Sequence, residues 1–117
     1  KIVNFCKLKK IPVICFPRGI KENYKAFNNI VKPDGINIDY NIDPEWAREN
    51  IKDTVIQGGL NPKILLSSDE EINKNAKKYL DTFKGLPYIF NLGHGILPKT
   101  PTKNVEQCID IVKTFKG

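Results

Sequence analysis

The sequence predicts an α/β fold in which four parallel strands are each followed by a helix. Short apolar runs alternate with stretches of helical hydrophobic spacing, and glycine or proline separates each run from the next. Strands and helices that alternate in this way are joined by right-handed crossovers, so the strands pair in parallel. Four such units form either a small open sheet or half of an eight-stranded barrel, which typically takes about 250 residues.

The start of the chain favours the half barrel. The first residue is Lys1, no methionine occurs among the 117 residues, and residues 1–10 have the apolar spacing of the end of a helix. We therefore expect the chain to be a piece of a longer protein.

The first strand is predicted at residues 12–16. This run is continuously apolar, as is typical of a strand covered on both faces in a parallel sheet. Pro17 and Gly19 end it. A helix is expected from residue 22 to residue 31, because its apolar residues share one stripe: Tyr24, Phe27 and Val31.

The next two units begin with short strands at residues 36–38 and 54–57. Each strand is followed by an acid or amide and a proline, Asp43-Pro44 in one unit and Asn61-Pro62 in the other. The first side chain can accept the free amide hydrogens of a helix start, and proline fits the first helical position because its missing N–H is not needed there. Both pairs therefore predict helix starts.

The remaining elements have similar signals. A capping box at residues 68–71 opens a longer helix, whose apolar residues are predicted to face the core: Ile72, Ala76, Tyr79, Leu80 and Phe83. The fourth strand is predicted at residues 88–92. Thr100-Pro101 leads into a last helix, whose predicted inner face consists of Val105, Cys108, Ile109, Val112 and Phe115.

Composition indicates one folded domain. Hydrophobic residues make up 40% of the chain, which is enough for a single core. No membrane partner is expected, because no apolar run could cross a bilayer and no secretory segment is present. The three cysteines are widely spaced, which favours reduced thiols in a cytoplasm and argues against zinc. The net charge of +6 comes mainly from scattered lysines, so no nucleic-acid partner is expected.

Chemistry is expected at the carboxyl ends of the strands, which form the functional edge of parallel α/β folds. These ends carry Arg18, Asp39, Gln57, Asn91 and His94. A cation, a carboxylate, an imidazole and amides suit the binding of a polar, anionic ligand and the movement of protons on it. Each residue also has a structural explanation: Arg18 as the partner of an acid, Asp39 as a loop cap, and the two amides as partners of backbone groups.

His94 is the only histidine and stands between two glycines. Glycine on either side allows positive φ and close approach to a ligand, and imidazole is the side chain that exchanges a proton nearest neutral pH. The alternative is a tight turn with an ordinary surface histidine. Gly58-Gly59 could cradle a phosphate, although no dinucleotide or P-loop spacing accompanies it. No serine or cysteine is expected beside His94 as a nucleophile.

Residues 90–98 read Phe-Asn-Leu-Gly-His-Gly-Ile-Leu-Pro, and Thr100-Pro101 and Asn104-Val105 follow. This stretch resembles the closing signature of the uroporphyrinogen decarboxylase family. The order and spacing of that family recur in residues 12–19, 38–48 and 57–62. The resemblance therefore covers essentially the whole chain.

The resemblance implies that residues 1–117 are the C-terminal half of a (β/α)8 TIM barrel, a fragment of one domain. It also implies a cytoplasmic, homodimeric carboxy-lyase of haem and porphyrin biosynthesis that uses no cofactor or metal. The family removes carboxyl groups from the four acetate side chains of uroporphyrinogen III and gives coproporphyrinogen III.

The resemblance assigns substrate-binding roles to three residues. His94 occupies the position of the histidine that lines the substrate cleft, near propionate carboxylates and the pyrrole. Arg18 stands where the family has a basic residue, and Asp39 where it has the aspartate that ends a strand. No residue is assigned as catalytic, because the aspartate that bridges the pyrrole N–H groups and the arginines that clamp carboxylates come from the N-terminal half. The chain alone is therefore expected to be inactive.

The chain departs from the family pattern at Tyr40, Gly59 and Asn61, and Gly59 removes a side chain from the rim. Two other functions stay open. A corrinoid methyltransferase of the same superfamily would hold zinc with thiolates and would usually carry a cysteine where His94 stands. A non-catalytic half barrel would use its two unpaired sheet edges to bind another subunit.

Overall fold

A computed structural model describes residues 1–117 and confirms the alternation of strands and helices. In chain order the elements are α1 (Ile2–Leu8), β1 (Ile14–Cys15), α2 (Tyr24–Val31), β2 (Gly35–Ile38), α3 (Pro44–Asn50), β3 (Val55–Gly58), α4 (Asp69–Thr82), β4 (Tyr88–Ile89) and α5 (Thr102–Thr114). Two 3₁₀ segments, Lys21–Asn23 and Pro62–Leu66, precede α2 and α4. None of the helices has the length and hydrophobicity that crossing a membrane requires.

The four strands form one parallel sheet in the order β1-β2-β3-β4. Each strand pairs with the next strand along the chain, as in a (β/α)8 barrel, whereas doubly wound sheets reverse their order at a switch point. The parallel strands and the sequential order confirm the predicted fold class.

The helices pack on one face of the sheet. The core joins Ile36, Ile38 and Ile56 of the strands to buried residues from α2, α3, α4 and α5: Tyr24, Ala47, Ile72, Ala76, Tyr79 and Cys108. Because neighbouring strand residues point to opposite faces, the other face of the sheet is formed by the intervening residues, which include Ile14, Asn37 and Gln57.

This second face has no helix against it. Ile14 is 47% exposed and Phe16 is 44% exposed. The prediction that residues 12–16 are covered on both faces is therefore wrong, because only the helix side is packed. The strand itself is also shorter than predicted, at Ile14–Cys15.

Both proline-containing helix starts are confirmed. The Asp43 carboxylate accepts the N–H of Trp46 at 3.4 Å, and the Asn61 side chain accepts the N–H of Lys63 at 3.0 Å. The second start opens a 3₁₀ segment, Pro62–Leu66, rather than an α-helix.

The predicted inner residues of α4 are all buried, but the capping box forms only in part. Ser68 Oγ accepts the N–H of Glu71 at 3.4 Å, while the Glu71 carboxylate accepts from Asn75. On α5 the prediction is wrong for Ile109, which is 45% exposed because it lies beside the open groove between α5 and the segment that follows β4, residues 90–96.

Candidate functional site

A cleft of about 540 Å³ lies on the open face at the carboxyl ends of the strands. We call it the strand-end cleft. Its lining brings together three of the five residues predicted at this edge, namely Gln57, Asn91 and His94. The other lining residues are Ile14, Phe16, Asn37, Leu92, Gly95 and Ile96. Arg18 and Asp39 lie outside this lining.

The loop that carries His94 is held against the segment after β3. The fourth strand ends at Ile89 rather than at residue 92, and pairing resumes as a single parallel bridge between Leu60 and Leu92. Leu60 N–H donates to the Asn91 carbonyl at 3.4 Å, and Gly93 N–H donates to the Leu60 carbonyl at 2.8 Å. His94 therefore directly follows a residue, Gly93, whose backbone is hydrogen-bonded to Leu60.

Gly93 allows this loop to touch the end of β2. A Cβ at this position would lie 2.4 Å from Tyr40 N and 2.8 Å from Asp39 C. Neither Gly93 nor Gly95 has a positive φ, so the predicted conformational reason for the two glycines is wrong. The close approach at Gly93 is to the backbone of residues 39–40.

The His94 side chain is exposed, and its tautomer follows from one hydrogen bond. His94 Nδ1 accepts the N–H of Gly95. In the neutral ring the proton is therefore on Nε2, since one ring nitrogen donates when the other accepts. Nε2 is the nitrogen that can donate to a bound anion.

Asp39 is 2% exposed and acts as a structural tie at the end of β2. Its carboxylate accepts from Gly19 N–H at 3.0 Å, from Asn41 N–H at 2.9 Å and from the Tyr24 hydroxyl at 3.5 Å. Burial raises the pKa of Tyr24 to about 12, and the negative charge of Asp39 adds to the rise. Through Gly19, Asp39 fixes the loop that carries Arg18.

Arg18 is exposed, and its side chain makes no hydrogen bond or ion pair. Its own N–H donates to the Phe16 carbonyl at 2.9 Å, which tightens the turn after β1. The one ion pair of the protein joins Lys78 to Asp43 at 3.9 Å. The alternative explanation for Arg18, an ion pair with a neighbouring acid, is therefore wrong.

The strand-end cleft also contains a residue that the sequence reasoning missed. Asn37 is 4% exposed and lies directly across from Gln57 in the pairing of β2 with β3. Gln57 Nε2 donates to Asn37 Oδ1 at 2.8 Å. The sequence feature that could have identified Asn37 is its position as a single amide between Ile36 and Ile38 in an otherwise apolar strand.

Comparison with known proteins identifies the family. The family model described as Uroporphyrinogen decarboxylase matches residues 1–115. The chain belongs to the uroporphyrinogen decarboxylase family. This confirms the resemblance of the sequence.

Curated relatives named uroporphyrinogen decarboxylase match almost the whole chain. The protein of Wolbachia sp. subsp. Brugia malayi (strain TRS) is 42% identical over 116 residues, which is 97% of this chain and 33% of the relative. The protein of Jannaschia sp. (strain CCS1) is 40% identical over 105 residues, 89% of this chain and 31% of the relative. That of Orientia tsutsugamushi (strain Ikeda) is 40% identical over 110 residues, 93% of this chain and 32% of the relative. The chain thus spans about a third of the length of these uroporphyrinogen decarboxylases.

The structure explains the departure from the uroporphyrinogen decarboxylase pattern at Gly59. A Cβ there would lie 2.6 Å from the ring of Tyr79, and φ is +104°. The carbonyls of Gly58 and Gly59 accept the hydroxyls of Tyr88 at 2.8 Å and Tyr79 at 2.7 Å. The glycine pair is therefore part of the packing between sheet and helix.

The cysteines stand apart from the strand-end cleft. Cys6 and Cys15 are partly buried, and Cys108 is buried on α5. Burial raises the pKa of the Cys15 thiol, and Cys6 nearby adds to the rise; burial also raises the pKa of Cys108. No group of three or more His, Cys, Asp or Glu side chains is placed to hold a metal ion. The thiolate set of a zinc-dependent methyltransferase is not assembled by these residues.

Proposed function

We propose that this chain forms one wall of the substrate cleft of a uroporphyrinogen decarboxylase. The enzyme would be a cytoplasmic, homodimeric carboxy-lyase of haem and porphyrin biosynthesis, which converts uroporphyrinogen III to coproporphyrinogen III by removing its four acetate carboxyl groups. The observation that carries the proposal is the meeting of Gln57, Asn91 and His94 in one cleft at the strand ends, in a chain of this family.

The architecture supports assigning residues 1–117 to the C-terminal half of a single barrel domain. The strands follow one another in sequential order and the helices cover one face only. In a closed eight-stranded barrel the uncovered face points inward, and side chains such as Ile14, Phe16 and Ile89 fill the interior. These three side chains are now between 42% and 47% exposed, as expected for an interior face that lacks its other half.

The reaction needs a proton and anion-binding groups, so the proposed enzyme uses no cofactor. A proton adds to a pyrrole carbon beside the one that bears the acetate, which turns the ring into an electron sink. The bond between the methylene and the carboxylate then breaks, its electron pair enters the ring, and CO₂ leaves. The methylene takes up a proton while the ring carbon loses one. Each acetate thus consumes one proton, releases one CO₂ and becomes a methyl group.

Two residues of this chain are proposed to bind the substrate, and a third positions one of them. His94 Nε2 donates to a substrate carboxylate, since Nδ1 is engaged by Gly95 N–H. The exposed guanidinium of Arg18 binds a second carboxylate from the loop after β1. Asp39 contributes indirectly, because its bond to Gly19 N–H holds that loop in place. The catalytic acid and the other carboxylate-binding groups are proposed to come from the remainder of the barrel, so this chain alone is expected to be inactive.

The test is a fusion in which this chain replaces the matching third of the Wolbachia relative. Both the chain alone and the fusion are incubated anaerobically with uroporphyrinogen III, and coproporphyrinogen III is quantified. We expect turnover by the fusion and none by the chain alone. His94→Ala in the fusion is expected to lower kcat/KM by about tenfold to a hundredfold, the loss of one hydrogen bond to a charged group.

Lys99→Ala, which alters an exposed residue of the same loop, is the matched control and is expected to change kcat/KM by less than about twofold. A folded, dimeric fusion without turnover would contradict the proposal and favour the non-catalytic half barrel. Turnover by the chain alone at the rate of a full-length enzyme would refute the expected inactivity.

A further inference from the structure

The Tyr24 hydroxyl contacts the residue that directly follows β2. Pairing of β2 with β3 ends at Ile38 and Gly58. The next N–H, that of Asp39, donates to the Tyr24 hydroxyl at 3.1 Å. The hydroxyl also lies 3.5 Å from Asp39 Oδ2, to which it donates. Because a hydroxyl accepts and donates at the same time, Tyr24 holds both the backbone and the side chain of Asp39.

Burial keeps solvent out of this contact. Tyr24 is 0% exposed and Asp39 is 2% exposed. If the hydroxyl is removed, water has no access to replace it, and the Asp39 N–H loses this acceptor at a buried position. An unpaired buried N–H is costly, so the backbone shifts until another partner is found. We call residues 39–40 the β2 end segment. Its position therefore depends on Tyr24.

The loop that carries Arg18 is tied to the β2 end segment. Asp39 Oδ2, the oxygen to which Tyr24 donates, also accepts Gly19 N–H at 3.0 Å. Gly19 directly follows Arg18. The Arg18 side chain makes no hydrogen bond or ion pair, so this backbone tie sets the region that its guanidinium can reach.

The loop that carries His94 rests on the same segment. Gly93 packs so closely against it that a Cβ would lie 2.4 Å from Tyr40 N and 2.8 Å from Asp39 C. His94 directly follows Gly93. Arg18 and His94 are therefore each one residue away from a contact with the β2 end segment, and this segment sets their separation.

The separation of these two side chains matters for a substrate with several carboxylates. Uroporphyrinogen carries acetate and propionate groups around one macrocycle. A second carboxylate binds more easily once the first is held, provided that both binding groups stand at the matching distance. We propose that Tyr24 is a positioning residue that fixes the separation of Arg18 and His94 through its hydrogen bonds to Asp39. This inference rests on the proposed function. It assigns a role to a residue of α2 that does not itself contact the substrate.

The test measures the affinity of uroporphyrinogen III for the ¹⁵N-labelled chain by NMR under anaerobic conditions. Tyr24→Phe keeps the ring and removes the hydroxyl, and it is expected to raise Kd by about threefold to tenfold, the effect of one buried hydrogen bond. In Arg18→Ala and in His94→Ala the same change is expected to raise Kd by less than about 1.5-fold, because one carboxylate-binding side chain alone leaves no separation to fix. A merely structural role would raise Kd by the same factor in all three backgrounds.

Tyr88→Phe is the matched control, since it also removes one tyrosine hydroxyl. The Tyr88 hydroxyl donates to the Gly58 carbonyl at 2.8 Å, at the end of a different strand. Tyr88→Phe is expected to change Kd by less than about twofold, and by the same factor with and without Arg18.

Amide hydrogen exchange tests the tie itself, without any ligand. Gly19 N–H is expected to exchange about threefold to tenfold faster in Tyr24→Phe than in the wild type. Lys63 N–H, which donates to the Asn61 side chain at 3.0 Å in another loop, is expected to keep its rate. If Tyr24→Phe does not fold, Asp39→Asn takes its place in both experiments with the same expected outcomes, because it weakens the bond to Gly19 N–H.

Several results would overturn the inference. These are no binding by the wild-type chain near Arg18 and His94, an unchanged Kd in Tyr24→Phe, an increase of the same size in all three backgrounds, and an increase that persists in His94→Ala. Unchanged exchange of Gly19 N–H in Tyr24→Phe would overturn it as well. Turnover by the fusion together with any of these results leaves the proposed function standing. The expected dependence on both side chains, together with an inactive, folded fusion, contradicts the proposed function alone.

Discussion

Replacing Gly93 by alanine is expected to displace the loop that carries His94. The added Cβ would lie 2.4 Å from Tyr40 N and 2.8 Å from Asp39 C, whereas ordinary van der Waals contact begins near 3.4 Å. Both neighbours are backbone atoms at the end of β2, and they cannot swing aside as the tip of a flexible side chain does. The loop must therefore move outward by about 1 Å, which strains the bond from Gly93 N–H to the Leu60 carbonyl.

The cost follows from these contacts. Forcing an extra methyl group into a packed site costs about 1–3 kcal/mol, and losing one backbone hydrogen bond adds about 1 kcal/mol. We expect Gly93→Ala to lower the free energy of unfolding by about 2–4 kcal/mol. In the fusion, Gly93→Ala should also lower kcat/KM, as His94→Ala does, because it displaces the loop that carries the intact His94.

Gly95→Ala is the matched control on the other side of His94. No heavy atom lies within 4 Å of a Cβ at Gly95, and its φ is not positive. Alanine there restricts the unfolded chain and is expected to stabilise the protein by about 0.4–1 kcal/mol. Urea unfolding of both variants measures the difference. Equal stabilities for the two variants would show that the loop does not rest on residues 39–40.

Two further predictions concern buried groups. Asp39→Asn is expected to lower the free energy of unfolding by about 2–4 kcal/mol, because an NH₂ replaces an oxygen that accepts charge-assisted hydrogen bonds such as that from Gly19 N–H. The control Asp43→Asn, at the start of α3, should lower it by less than about 0.5 kcal/mol, since asparagine caps a helix equally well. Equal losses of stability for the two variants in urea unfolding would contradict this prediction. Burial raises the pKa of Tyr24 and of Tyr79 from 10.0 to about 12, with Asp43 adding to the rise for Tyr79. Because the folded pKa of each tyrosine is the higher one, the stability that its neutral hydroxyl contributes is complete below pH 10 and is lost as pH rises from 10 to about 12. The loss is on the order of 3 kcal/mol at most for each group. Urea midpoints that stay flat to about pH 12 would refute it.

Local signals in the sequence predicted the elements that local interactions form. The cap at Asp43 and the buried stripe of α4 depend on residues within a few positions of one another, so their spacing was sufficient. The parallel order also followed, because the alternation of strands and helices restricts the connections. The sequence did not predict correctly which faces of β1 are covered, since an apolar run does not reveal which of its two faces is packed.

The site was predictable in position and less so in its contacts. The strand ends delivered Gln57, Asn91 and His94 to one cleft, as the parallel arrangement required. Asn37 was missed because its meaning depends on Gln57, 20 residues away. The role of Gly93 could not be predicted for the same reason, since the backbone that it contacts, residues 39–40, lies at the end of a different strand.

The most direct test of the account is the binding footprint of uroporphyrinogen III on the ¹⁵N-labelled chain, measured by NMR under anaerobic conditions. The account predicts the largest amide shifts at Gln57, residues 91–95 and the loop of Arg18, with little change at the opposite strand ends near Asp34 and Asp53. Shifts concentrated at those opposite ends, or spread over the scattered lysines without a focus at His94, would contradict it.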